Sequence, residues 1–66
     1  MQILVNGAPQ ELAEGSTVLE LLQQLELTSK RLAVDVNAEI VSRGRHAETR
    51  LQPGDKVEIV HAIGGG

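Results

Sequence analysis

The residues best suited to chemistry are the last three, Gly64-Gly65-Gly66. Without a Cβ they leave the main chain free in φ, and nothing on them hinders approach to the α-carboxylate of Gly66. A partner enzyme could draw such a tail into a narrow active site and activate that carboxylate. A frayed terminus or a cloning scar is the competing account of three glycines. Against it, Val57, Ile59 and Ile63 repeat at period two with the β-branched residues of a half-buried strand. That strand runs straight into the glycines, where a scar would follow a polar linker. The tail by itself leaves both readings open.

The side chains offer less. His46 and His61 are the two imidazoles. His46 stands in a polar loop with no acid or nucleophile arranged around it, and is expected on the solvated surface. His61 shares a strand face with Val57 and Ile59, which predicts a partly buried structural histidine. Neither has a partner at metal-ligand spacing. Thr17 reads as a helix cap, with Ser16 sharing that duty, while Ser29 and Ser42 lack a nucleophile-elbow setting. The glycine run has no strand-to-helix context and no lysine, so it is no phosphate cradle. The chain is therefore expected to be no enzyme itself.

The elements that would carry the tail follow in order. Gln2 to Val5 predicts a strand, and Asn6-Gly7 is a strong two-residue hairpin signal. Pro9 marks the returning segment, Ala8 to Leu12, as an edge strand, because proline donates nothing to a ladder. Thr17 with Glu20 forms a capping box, and Val18, Leu21, Leu22 and Leu25 make one apolar helical stripe. Leu27 is expected to fold back under the helix end, before a polar connection at Thr28-Ser29-Lys30-Arg31. Leu32, Val34 and Val36 then alternate with Ala33, Asp35 and Asn37 in a second strand region. Asn37-Ala38 turns it into a short partner strand, Glu39 to Ser42. Residues 43–50 are polar and irregular, with room for one helical turn, and Leu51 plugs the core. Gln52-Pro53-Gly54-Asp55 fits a type II turn that feeds the last strand, Lys56 to Ile63. The order ββαββ, connection, β predicts one helix packed on a mixed sheet of four to five strands, an α+β fold with the last strand at the centre. The domain is expected to cover residues 1–63, with 64–66 as a flexible glycine tail.

Composition narrows the function. Sixty-six residues make one domain at most, with a core drawn from nine Leu, seven Val and four Ile, and no Phe, Tyr or Trp. Without cysteine the chain has no disulfide, no thiolate metal site and no side chain able to carry a persulfide. A net charge of −3 and the lack of aromatics speak against nucleic acid. No apolar run could span a membrane or act as a signal segment, so the protein is expected to be cytoplasmic. Charge is also polarised: Glu11, Glu14, Glu20 and Glu26 precede Lys30, and five of the six bases fall between Lys30 and Arg50. Val60 alternates out of register with Val57 and Ile59. It should point away from the helix, which fits either a partner contact or cover for an edge strand.

Several stretches together resemble one family over the whole length. They are the Met-Gln-Ile-Leu-Val-Asn-Gly start, Gly15-Ser16-Thr17-Val18-x-x-Leu21-Leu22, Ala33-Val34-Asp35-Val36-Asn37, Ile40-Val41-x-Arg43, Gly54-Asp55-x-Val57-Glu58 and the Ala62-Ile63-Gly64-Gly65-Gly66 ending. The chain is similar to the ThiS group of ubiquitin-like β-grasp proteins, the sulfur carriers of thiamine (thiazole) biosynthesis. The resemblance implies that a ThiF-like adenylating enzyme, using ATP and magnesium, converts the Gly66 carboxylate to an acyl-adenylate. A sulfur donor such as a cysteine desulfurase then supplies the atom that leaves a C-terminal thiocarboxylate, and a ThiG-like thiazole synthase consumes it. Gly64 and Gly65 would give reach and clearance. Arg43 joins Val60 as a candidate partner contact, and the carrier would bind no cofactor and be a monomer when free. Many such relatives end after two glycines of this type, so the third is a small departure. Two further readings remain. One is the small subunit of molybdopterin synthase, which uses the same terminal chemistry on a longer chain. The other is a ubiquitin-like modifier or interaction module.

Overall fold

The computed structural model of the chain describes residues 1–27 and 31–61. The elements run β1 (Gln2–Val5), β2 (Ala8–Glu11), α1 (Val18–Gln24), β3 (Leu32–Val36), β4 (Glu39–Val41), a 3-10 turn (Arg43–Arg45) and β5 (Lys56–His61). The strands form one sheet in the order β2-β1-β5-β3-β4. β5 lies parallel to β1 and antiparallel to β3, so the last strand occupies the centre as its apolar alternation predicts. Pro9 falls on β2 at the sheet's edge, where its missing N–H leaves no ladder bond unmade.

Both hairpins turn through pairs of residues at positive φ. Asn6 and Gly7 stand at 49° and 83°, and Asn37 and Ala38 at 52° and 71°. Such pairs match the right-handed twist of the flanking strands. Asparagine and glycine suit them, whereas Ala38 carries a Cβ into a region that disfavours one. The Gln52–Asp55 turn closes as predicted, with Asp55 N–H donating to Gln52 O at 3.1 Å and Gly54 at φ 84°.

The helix is bounded at both ends by local bonds. The Thr17 hydroxyl accepts from Glu20 N–H at 3.2 Å, and Glu20 Oε1 accepts from Thr17 N–H at 2.9 Å, completing the capping box. Ser16 plays no part in the cap: its hydroxyl donates back to Ala13 O at 2.7 Å, and the residue is buried. At the other end Leu27 N–H bonds Leu22 O at 2.8 Å and Glu26 N–H bonds Gln23 O at 3.0 Å. These two bonds make a Schellman motif whose left-handed position is filled by Glu26, at φ 60°, in place of the usual glycine. Leu27 is thereby folded back against the core, as its sequence position suggests.

Val18, Leu21 and Leu22 meet Ile3, Leu12, Val34, Leu51, Val57 and Ile59 in a single apolar cluster, with Leu25 packed at its rim. Leu51 is 1% exposed and does plug the core. The segment between β4 and Leu51 is tied in by the helix's own orphan donors. Val18 N–H bonds Thr49 O at 2.9 Å and Leu19 N–H bonds His46 O at 3.0 Å.

The structure corrects the reading of His46, which is 5% exposed rather than solvated, with Nε2 3.2 Å from Val41 O. A polar neighbourhood in sequence did not reveal that the loop folds its one imidazole inward. His61 errs the opposite way. It ends β5 at the same strand parity as Val57 and Ile59, and it is exposed where they are buried. Strand ends move slightly as well: Leu12 and Ser42 fall outside β2 and β4, and Asn37 belongs to the turn.

Candidate functional site

The expected reacting group, Gly66, lies outside the described residues, as do Gly64, Gly65, the strand position Ile63 and the 28–30 connection. What the structure shows is the machinery that delivers the chain to them. β5 is held on both sides along its length. Toward β3, the register runs from Val36↔Val57 to Leu32↔His61. Toward β1, ladder pairing stops at Val5↔Val57, because β1 turns away at Asn6. The Asn6 side chain takes over there. Its Oδ1 accepts from Ile59 N–H at 2.9 Å and its Nδ2 donates to Ile59 O at 3.1 Å. One carboxamide thus imitates the next residue of a parallel strand and carries the sheet's pairing two residues further along β5. Val57 and Ile59, 1% and 7% exposed, anchor the same stretch from the helix side.

Val60 points away from the helix as its register predicts and is 57% exposed. Arg43 opens the 3-10 turn after β4 and is exposed. β3 lies between their two strands, and both residues stand toward the end of the sheet from which β5 leaves. The sequence missed two positioning features. Asn6 was legible only as a turn residue, since a side-chain bond to a residue so distant in the chain has no local signature. The N-terminal ammonium was overlooked too: it donates to Leu12 O at 2.6 Å and lies 3.3 Å from Glu11 Oε2, fixing the start of β1 against the end of β2.

Among the described residues, no three His, Asp or Glu side chains gather into a group that could hold a metal. No helix there is long and apolar enough to cross a membrane. His46 and His61 are far apart in role, one tied to Val41 inside the fold and the other at the strand's exposed end. Among the described residues no hydroxyl is hydrogen-bonded to either imidazole. What the described residues do is hold β5 in one direction as far as His61.

One helix laid across a five-stranded mixed sheet, with the last strand central, defines a β-grasp domain. The family model of the ThiS family matches residues 3–66, and the chain belongs to that family. Sulfur carrier protein ThiS of Escherichia coli is 39% identical over 66 residues, covering all of both chains. A thiazole synthase of Magnetococcus marinus is 41% identical over the same span, but the chain covers only 20% of that protein's length. The crystal structure of the thiamine biosynthesis protein ThiS from Geobacter metallireducens superposes with a TM-score of 0.88 at 35% identity, again covering both chains fully.

Proposed function

We propose that this protein is the sulfur carrier of thiamine biosynthesis, and that its reacting group is the main-chain carboxylate of Gly66. The full-length similarity to a protein named as that carrier supports the reading most strongly. A free carboxylate is inert toward nucleophiles. An adenylating enzyme, using ATP and magnesium, joins the Gly66 carboxylate to AMP with release of pyrophosphate. Sulfide attacking the carbonyl carbon expels AMP and leaves a thiocarboxylate; a persulfide attacking there expels AMP and leaves an acyl disulfide, from which a second thiol releases the thiocarboxylate as the two thiols become a disulfide. Gly64 and Gly65 carry no side chains to obstruct that approach.

Thiazole synthase is the consumer of the sulfur in this reading. Two relatives named thiazole synthase contain a matching unit as 20% of a longer chain. Joining the two in one polypeptide raises their effective concentration toward each other, which is advantageous when one delivers an atom to the other. A cysteine desulfurase is a suitable source of the sulfur. The protein works in the cytoplasm, and the scaffold of residues 1–63 acts as a handle that partners grip.

Incubation with the adenylating enzyme of the same genome, ATP, magnesium and a sulfur source should place one sulfur at the C-terminus. Oxidation of Met1 mimics the mass change, so the sulfur is assigned by thiol-selective alkylation of the C-terminal peptide. A terminus that never becomes alkylatable would sink the proposal.

A further inference from the structure

The two edges of the sheet are closed in different ways. Across the Asn6-Gly7 turn, Val5↔Ala8 and Ile3↔Gln10 are the bonded pairs, which turns the main chain of Pro9 and Glu11 outward. Pro9 has no N–H to offer there, and Glu11 O accepts from Gln24 Nε2 at 3.0 Å. The β2 edge is thus blunted by a proline and by a side chain of the helix.

On β4 the edge is open at one residue. Ile59 commits both of its backbone groups to the Asn6 carboxamide, so Val34↔Ile59 is a non-bonded pair. Alternation then makes Asp35↔Glu58 the bonded pair, and the main chain of Asp35 faces β5, away from β4. Ile40, directly opposite Asp35, therefore has its N–H and C=O turned outward. The two-residue Asn37-Ala38 turn requires the same, because it closes on a bonded Val36–Glu39 pair. The side chain at that position is 86% exposed. One outward donor, one outward acceptor and one bare isoleucine meet at a single residue.

We infer that this edge pairs with the same edge of a second copy of the chain, antiparallel, about a two-fold axis at Ile40. Ile40 N–H of each copy donates to Ile40 O of the other. The two isoleucines lie side by side on one face, Cα atoms about 5.5 Å apart, and shield each other from water. About this axis Glu39 falls opposite the second copy's Val41, with the second copy's Arg43 on the diagonal. Opposite charges become neighbours twice over, and no like charges are directly opposed. An in-register parallel pairing would instead set Glu39 beside Glu39. The complement that a foreign strand would have to supply is supplied here by symmetry. β4 and β5 run the same way, so the two β5 strands run in opposite directions and end on opposite sides of the pair. The contact is small, so its Kd is on the order of 1 mM and a dilute solution holds single chains.

The test is self-association of the full chain between about 0.05 and about 2 mM, followed by sedimentation equilibrium and by amide chemical shifts. The parent should pass from one chain toward two over this range, with the largest shifts at Glu39, Ile40 and Val41. Ile40→Lys sets two ammonium groups opposite one another and should weaken association about ten-fold or more. Ile40→Pro deletes the outward N–H while sparing the bonds to β3, and should weaken it as much. Ile40→Val keeps the backbone groups and most of the apolar surface, and should stay within about three-fold of the parent. Because the side chain is exposed, Ile40→Lys should keep the parent fold, seen as unchanged shifts in β1 and α1. A parent that remains a single chain at about 2 mM would overturn the proposal. Association that Ile40→Lys leaves unchanged, or shifts centred on β2, would overturn it as well. None of these readouts depends on the chemistry of Gly66.

Discussion

Asn6 offers the sharpest test of how the scaffold aims its last strand. Its carboxamide makes two bonds to the Ile59 backbone, at 2.9 and 3.1 Å, in a partly buried setting. Each such bond contributes about 1 kcal/mol net, so removing both should destabilise the fold by about 2 kcal/mol. The replacement's own backbone preference must be added, because Asn6 sits at φ 49°. Asn6→Gly adopts that conformation without strain and should show the loss of the bonds nearly alone. Asn6→Ala adds roughly 1 kcal/mol for a Cβ in the left-handed region, giving about 3 kcal/mol. Asn6→Asp keeps the acceptor for Ile59 N–H but sets a carboxylate oxygen against Ile59 O, and should fall near the glycine variant.

A domain of 66 residues has roughly 3–10 kcal/mol in hand, so these losses are large. The assay is equilibrium unfolding in urea, with native-state hydrogen exchange as the local readout. In Asn6→Gly the amide of Ile59 should exchange faster by far more than that of Val57, whose register against Val5 is untouched. If the glycine and alanine variants both lie within about 0.5 kcal/mol of the parent, or if Ile59 stays as protected as before, the carboxamide is not what extends the pairing of β5.

Further variants test the remaining supports. Ala38→Gly, at φ 71°, and Glu26→Gly, at φ 60°, should each raise stability by about 0.5–1 kcal/mol, read as a higher urea midpoint at unchanged m-value. Leu51→Ala removes a side chain that is 1% exposed at the meeting of helix and sheet, and should lose about 2–5 kcal/mol by the same measurement. His46→Ala leaves Val41 O without its imidazole partner and opens space in the fold, and should lose about 2–3 kcal/mol. In that variant the amide of Leu19, which bonds His46 O, should also lose exchange protection.

Local patterns explain why so much of the fold could be anticipated. Asn6-Gly7, Thr17 with Glu20, and Gln52 to Asp55 each determine a turn or a cap through atoms only a few residues apart, and each takes the conformation those residues favour. Period-two alternation placed Val34, Val57 and Ile59 on the helix side and Val60 on the other. The misreadings share a different cause. His46 is buried because a 3-10 turn brings it under β4, and Asn6 is more than a turn because β5 arrives beside it from the far end of the chain. The Asn6 partner lies 53 residues away, and the His46 partner, five residues back, is reached only through a turn that the polar residues around it do not advertise. Glu26 and Ala38 hide for a related reason: the surrounding bonds fix a positive φ that their residue types do not advertise.

Taken together, the polar side chains of this domain divide by what they hold. Thr17 and Glu20 satisfy the backbone at the start of the helix within one turn. Asn6 and Asn37 join backbone groups of β5 from distant turns, and His46 ties its own loop to the end of β4, so the sheet and the connection form one body. The stability of the domain is internal, supplied by the aliphatic core and by these backbone staples.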